Sequence, residues 1–393
     1  MLPHASTLWR AALRTTDLPR HWRVLTSQPR LDVVFITNVR DEAERRRFFA
    51  DPNDRLQHAS GPRMRLRGVH AQVRGFNVTA EELLTRPGRK LARELFIECT
   101  RWAQDQGARV VLLAASTKRL FGRDGGELKA MFPDLVFTIG DNGTAWLLGQ
   151  DVERALRRAN LSAPARLLVI GPYGILGSAV AEHLAGARHE VIGWGPSTAL
   201  LQEWSQQTGL SAALDFESIG KVDAVVCCSH SPEAKLTLER VQQLRRTRRK
   251  LLVIDVCEPA NLDAEELARC GDLVRRQDAG NAHAKGLSYG LGPLSWQRLQ
   301  LSRGTVFGCF AEAIALYQAI FRDRSSIALR RDWFEVSAFN QFIVAETFRE
   351  LGIQAPEPHC FGRRVTRFDL RREEAQALPQ DTPFTLPNPL QAR

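Results

Sequence analysis

The stretch that most constrains this chain is residues 166–184, R-L-L-V-I-G-P-Y-G-I-L-G-S-A-V-A-E-H-L. Residues 166–170 form a short apolar run with the length of a buried strand, and residues 178–184 carry helical spacing. Gly171, Gly174 and Gly177 fall on the turn between them, so the segment reads as strand, glycine turn and helix. Glycine is needed where φ is positive or where backbone must touch a ligand, and the free N–H groups that open the following helix attract a pyrophosphate. The spacing is G-x-x-G-x-x-G, which departs from the dinucleotide fingerprint G-x-G-x-x-G. Context adds weight, because strand-like and helix-like segments alternate for about a hundred residues beyond the turn, as a parallel doubly wound sheet requires. Gly171, Gly174, Ile175, Leu176 and Gly177 are therefore the candidate cofactor-binding turn.

A chain of 393 residues is too long for one ordinary domain and predicts two. Before the glycine turn, residues 31–37 read as a strand, 41–50 as a charged helix and 68–77 as an alternating strand. Thr79 and Glu82 have the spacing of a capping box. An amphipathic helix spans 89–106, buried strands follow at 109–113 and 135–139, and a helix over 144–159 leads into the turn. The expected fold class is α/β: an N-terminal α/β substrate domain over 31–160, a Rossmann-like doubly wound parallel sheet over 161–300, and C-terminal helices over 301–354. Residues 1–30 lack periodicity and read as a flexible basic extension; 355–393 read as an Arg- and Pro-rich tail, disordered beyond Leu378.

In the second half, residues 190–194 are the next strand of the cofactor sheet. Sheets that prefer NAD commonly carry an Asp or Glu about 20 residues past the glycines for the ribose hydroxyl. Here the strand runs into W-G-P-S-T without an acid, and Ser197 and Thr198 open the next helix, where hydroxyls and free N–H groups suit a 2′-phosphate. NADPH is the expected cofactor, with NADH the alternative; the competing role for Ser197 and Thr198 is plain N-capping. Residues 223–228 and 251–256 are central parallel strands, which places Ser229, His230, Glu258 and Pro259 at strand carboxyl ends. The glycine-rich segment 279–294 reads as a loop over the cofactor.

Composition excludes several classes. No apolar run approaches the roughly 18–20 residues of a membrane span, so no integral membrane segment is expected. The N-terminus lacks the h-region of a secretory signal. Seven irregularly spaced cysteines, mostly within apolar runs, point to reduced thiols in a cytoplasmic protein and offer no metal-ligand spacing. The formal charge of +10, with arginine clusters at 45–47, 245–250, 330–331 and 363–364, favours an acidic partner or simply solvated helix faces. Nucleic acid is not expected, since no basic stretch is interleaved with aromatics.

Cys309 follows Gly308 at the start of a strongly helical segment, with Glu312 three residues on. A thiol at a helix N-terminus feels the positive end of the dipole, which favours the nucleophilic thiolate. The competing reading is a buried cysteine beside a helix start that Glu312 caps from the N3 position.

The segment 307–313, F-G-C-F-A-E-A, resembles the F-x-C-F-A-E-A motif of the long-chain acyl-[acyl-carrier-protein] reductases best known from cyanobacteria, in which the cysteine takes up the acyl group. Other segments are similar in the same order. Residues 89–117 resemble the family's long helix and a strand ending in a serine pair, which falls on Ser116 and Thr117. Residues 138–145, T-I-G-D-N-G-T-A, resemble T-x-G-N-x-x-T-A, with Asp141 in place of an asparagine and Thr144 matching a threonine. Residues 171–180 resemble G-A-T-G-D-I-G-S-A-V, and 254–262 resemble I-D-G-G-Y-P-x-N-L. Ala114 and Ala115 replace a glycine pair. The resemblance spans about residues 31–325 and implies Cys309 as acyl-carrying nucleophile with Glu312 beside it. It implies an acyl pocket near Ser116, Thr117, Asp141 and Thr144, cofactor contacts at the glycine turn and Ser229, and acyl carrier protein or acyl-CoA as donor. The implied reaction is NADPH-dependent reduction of an acyl thioester to an aldehyde. A dehydrogenase of the shikimate or amino-acid type shares the two-domain plan and would draw its acid-base group from Lys118 or Lys285; a non-catalytic NADP-binding protein is the third reading.

Overall fold

The structure, a computed structural model, describes residues 4–229 and 231–371. His230 and the tail beyond Leu378 lie outside the described residues, and with them the expectations placed there.

The first half builds a six-stranded sheet in the order Ser288–Tyr289, His58–Leu66, Val69–Thr79, Val33–Val39, Val110–Leu113, Val136–Thr138. The last four run parallel, and the first two add antiparallel at one edge. Val33–Val39 is central and apolar on both faces, as a strand covered by helices must be. Its Val34 and Ile36 pack in the core that receives Leu95, Phe96 and Cys99 of helix Arg86–Asp105, while Val33 and Phe35 belong to the opposite core.

The second sheet runs Val274–Asp278, Leu251–Asp255, Ala224–Cys227, Arg166–Ile170, Glu190–Trp194, Ser211–Ala212, with every adjacent pair parallel. Counted in chain order from Arg166–Ile170, the strands lie 6-5-4-1-2-3, the doubly wound Rossmann arrangement. Its topological switch point lies between Arg166–Ile170 and Ala224–Cys227, the strands that end at Gly171 and Ser229. The α/β class and the Rossmann-like sheet expected from sequence are both present.

Two expectations are corrected by long-range packing, and two further segments gain contacts that the sequence does not display. Residues 1–30 are not a flexible extension: helices Ala5–Thr16 and Leu18–Leu25 form, Trp9 and Leu13 are buried, and Arg10 donates to the Ser60 carbonyl at 3.0 Å. Residues 279–294 are not a single loop over the cofactor. Asn281–Ala284 joins Thr305–Phe307 and Ile353–Gln354 in a three-stranded antiparallel sheet, and Ser288–Tyr289 edges the first sheet. The segment 301–354 carries the expected helices, and it docks into the first half of the chain. Its helix Gly308–Tyr317 enters the first sheet's core, with the Phe310 ring stacked 4.1 Å from Phe35. Within the tail, Phe368 and Leu370 are buried against the second sheet's core. In each case the partner lies far away in sequence, and local periodicity carries no record of it. Among the described residues no helix is long and apolar enough to cross a membrane.

Candidate active site

The two sheets meet at their carboxyl edges, where open α/β sheets bind ligands. Arg40, just past Val33–Val39, pairs with Glu258, just past Leu251–Asp255, at 2.7 Å. Ile175, the first residue of the glycine-turn helix, packs against the first sheet's helix-covered core. Helix Asp141–Arg158 belongs to both units, with Leu147 in the first core and Leu148, Val152 and Leu156 in the second.

On the Rossmann side the three glycines have separate tasks. Gly171 has φ +79°, and a Cβ there would lie 2.7 Å from the Ser229 Cβ. A Cβ on Gly177 would lie 2.0 Å from the Gly171 carbonyl oxygen, so this glycine lets the helix sit on the turn. Gly174 has ordinary backbone angles, and a Cβ there would meet only the Gly171 oxygen, at 3.3 Å. Apart from that one contact it borders the N-terminus of helix Ile175–Gly186, the position where a pyrophosphate would approach. The cradle therefore fits a dinucleotide phosphate despite the unusual spacing. Ile175 and Leu176 are partly buried in the first turn, and their side chains pack into the two flanking cores. Ser229 is held against this turn by Asn261, whose amide donates to the Ser229 carbonyl at 2.6 Å and whose oxygen accepts from the Leu236 N–H at 2.9 Å. Asn261 was visible in the sequence only as part of a motif resemblance.

At the end of Glu190–Trp194, Ser197 caps helix Thr198–Thr208, and Thr198 is exposed. A cation also stands here that inspection of the strand's own continuation misses. The Arg240 guanidinium lies 4.9 Å over the Trp194 ring and 4.8 Å over the Phe216 ring.

On the opposite edge, Cys309 is the second residue of helix Gly308–Tyr317 and sits just past strand Val136–Thr138. It is placed there by Gly140, which has φ +74° and so tightly abuts Cys309 that a Cβ would fall 2.2 Å from the cysteine's Cβ. Lys118, after strand Val110–Leu113, is ion-paired with Asp141 at the start of helix Asp141–Arg158. Its charge reaches Cys309 and pulls the thiol downward, but burial dominates, with Asp141 and Glu312 acting the same way, and the thiol is pushed up to about 11. The helix start alone predicts an activated thiolate; the surroundings instead keep the resting thiol protonated at neutral pH.

Glu312 is fully buried and does not cap its own helix. The cap residue Phe307 receives no side-chain bond, and the Glu312 carboxylate instead accepts from Thr138 Oγ1 at 2.5 Å and from the Gly143 N–H at 2.6 Å. It thus serves the N-terminus of the neighbouring helix and ties the two helices together. Burial pushes its carboxyl up to about 7, the two hydrogen bonds offsetting only part. An acid whose folded pKa exceeds its unfolded value holds extra protons in the folded state, so stability falls as pH rises through that window. Wild type should lose stability relative to Glu312→Gln between about pH 4.5 and 7, by on the order of 1 kcal/mol per pH unit, with no further divergence above it. Urea melts of both proteins across pH 4–8 check this, and parallel curves would refute it.

Of the residues expected to form an acyl pocket, Asp141 is at the cluster but neutralised by Lys118. Thr117 and Thr144 are spent locally: their hydroxyls donate to the Ala114 carbonyl at 2.7 Å and the Gly140 carbonyl at 2.8 Å. Ser116 is exposed at the strand end, its N–H bonded to Asn38 Oδ1. Lys285 is exposed on the turn between Asn281–Ala284 and Ser288–Tyr289, apart from this cluster. Among the described residues no group of three or more His, Cys, Asp or Glu side chains has the arrangement of a metal site.

No protein-family model matches the chain, and no curated protein matches it. Solved structures similar to it include the A chain of dipicolinate synthase from Bacillus subtilis, 15% identical over 43% of this chain and 56% of that one, with a TM-score of 0.32. Shikimate 5-dehydrogenase from Thermus thermophilus, in complex with NADP(H) and shikimate, is 16% identical over 55% of this chain and 64% of that one, with a TM-score of 0.27. The nucleotide-binding domain of glutamyl-tRNA reductase from Thermoplasma volcanium is 16% identical over 33% and 84%, with a TM-score of 0.25. The match thus spans less than two thirds of the length of the first two.

Proposed function

We propose that this protein is an NADPH-dependent oxidoreductase that reduces an acyl thioester, carried by acyl carrier protein or coenzyme A, to an aldehyde. The observation that carries the reading is Cys309 itself: a partly exposed thiol at a helix start, beside Lys118, on the carboxyl edge that meets the Rossmann sheet's carboxyl edge. The motif resemblance to long-chain acyl-[acyl-carrier-protein] reductases supports the same residue.

Cys309 loses its proton and its sulfur attacks the thioester carbonyl; the carbonyl–sulfur bond to the carrier breaks, and the carrier leaves as a thiol. Lys118 holds a positive charge beside the sulfur and steadies the oxyanion formed during attack. Bound at the glycine turn, NADPH would supply hydride to the acyl carbon. The resulting thiohemiacetal on Cys309 collapses to aldehyde and returns the thiol, with one proton taken up overall. Gly171, Gly174 and Gly177 would seat the pyrophosphate, Ser229 would line the switch point, and Ser197, Thr198 and Arg240 would stand near the 2′-phosphate. Incubating the protein with a panel of acyl thioesters without NADPH, then measuring intact mass, tests the reading: a single acyl adduct that maps to Cys309 is expected, and no adduct with any thioester overturns it.

Arg240→Ala should raise the KM for NADPH at least tenfold and leave the KM for NADH within about twofold, since only the 2′-phosphate presents a charge for the guanidinium. Equal loss with both cofactors would assign Arg240 to packing alone.

A second reading is favoured by the Lys118–Asp141 pair, which has the chemistry of an acid-base group for direct hydride transfer to or from a small hydroxy or amino acid. It predicts activity that survives loss of the Cys309 thiol.

A further inference from the structure

We propose that the cavity beneath the N-terminal helices binds a small phosphate-bearing anion at a site separate from the cleft. The cavity measures about 220 Å³ and lies between the two N-terminal helices, the antiparallel edge of the first sheet and the end of helix Arg86–Asp105. Arg10, Arg14, Arg20 and Arg63 line it, together with Gln72 and Trp102, and no carboxylate does.

Two of these arginines are locked in place. Arg63 is 8% exposed, donates to Gln72 Oε1 at 3.0 Å and pairs with Asp17. Arg10 donates to the backbone carbonyls of Ser60 and Phe48. The guanidinium groups of Arg14 and Arg20 have no hydrogen-bond or ion-pair partner among the described residues. Asp17 thus balances one of the four lining charges, and Arg74, 8% exposed, adds another positive charge behind the wall. The crowding is felt electrostatically: burial, then Arg298, Arg74 and Arg14, lower the Arg10 guanidinium to about 10, and burial with Arg63 and Arg30 lowers Arg20 against the opposing pull of Asp17. Assembling cations in this way is unfavourable unless an anion compensates them, and guanidinium forks match phosphate oxygens in pairs.

Size and position narrow the ligand. The volume lies below the about 300–1,000 Å³ of pockets that enclose drug-sized ligands, which suits a phosphate or a short phosphorylated group rather than a dinucleotide. Gln72 is in register with Val34, near the amino end of the parallel strands, whereas the cleft lies at their carboxyl end. The N-terminal helices supply three of the four arginines or their immediate flank, which gives this segment a binding task that its sequence alone does not display.

The test is calorimetric titration of the full chain with inorganic phosphate and, separately, with glycerol 3-phosphate, in chloride buffer at matched ionic strength. Saturable binding of at least one is expected, and the tighter of the two identifies a free anion or a phosphomonoester as the occupant. The double variant Arg14→Gln, Arg20→Gln leaves the Arg63–Asp17 pair and the Arg10 contacts intact, so it should fold, and it should weaken binding at least tenfold. The exposed pair Arg303→Gln, Arg324→Gln, which removes the same two charges, serves as a charge-matched control and should leave binding within about twofold. No saturable binding to wild type, or equal weakening in the double variant and the control, overturns the site.

Discussion

Cys309→Ser protein is expected to fold and to bind NADPH as tightly as wild type, yet to take up no acyl group and release aldehyde at least about a thousandfold more slowly. The hydroxyl keeps nearly the size of the thiol in a place where Gly140 leaves no slack, so stability should change by less than about 1 kcal/mol. What is lost is nucleophilicity, because a serine hydroxyl without an adjacent base is almost never ionised near neutrality. The raised thiol adds a pH signature. With ionisation pushed up to about 11, the thiolate fraction grows roughly tenfold per pH unit above neutrality, so acylation of wild type by a short thioester should climb steadily from pH 7 to 9. Stopped-flow acylation across that range, paired with intact mass of both proteins, checks both parts. Serine protein that turns over thioester near the wild-type rate would remove the acyl-enzyme mechanism and favour direct hydride transfer with Lys118 as the acid-base group.

Gly174→Val should weaken NADPH and NADH alike by about a hundredfold, some 2.8 kcal/mol at about 1.4 kcal/mol per tenfold, while the melting temperature moves little. The backbone there is in an ordinary region and the added Cβ meets only the Gly171 oxygen, at 3.3 Å, so what it chiefly obstructs is whatever approaches the helix N-terminus. The neighbouring glycines behave differently. Gly177→Val would drive a side chain into the Gly171 carbonyl, and Gly171→Val would combine a positive φ with a clash against Ser229, so both should cost stability first. Fluorescence titration of both cofactors alongside thermal melts separates the cases. A Gly174→Val protein that binds NADPH normally would move the cofactor away from this turn.

Much of the site was legible because its pieces are local. The glycine turn, its strand and its helix lie within twenty residues, and each glycine's task follows from the turn itself. The Thr79–Glu82 capping box formed as the spacing predicts, with reciprocal bonds of 3.2 Å and 2.8 Å. Glu312 shows the opposite case. Its N3 position predicts a cap on its own helix, but the N-terminus of helix Asp141–Arg158 offers the same unsatisfied N–H groups from a closer direction, and the carboxylate goes there. Arg240 escapes local reading for a similar reason: the residues downstream of Trp194 offer only hydroxyls, while the guanidinium arrives from helix Leu238–Leu244 of a different strand connection.

By itself the amino-acid sequence determined the α/β class, the position of the glycine turn and the presence of a cysteine at a helix start, all of which rest on spacings of a few residues. Only the tertiary structure decided that the Cys309 helix belongs to the first sheet, that the N-terminal segment folds onto that sheet's edge, and that the thiol is raised rather than lowered. The reason is physical. Periodicity and turn chemistry act over one or two turns of chain, whereas burial, and the charge that a buried group sees, depend on which distant segments close around it.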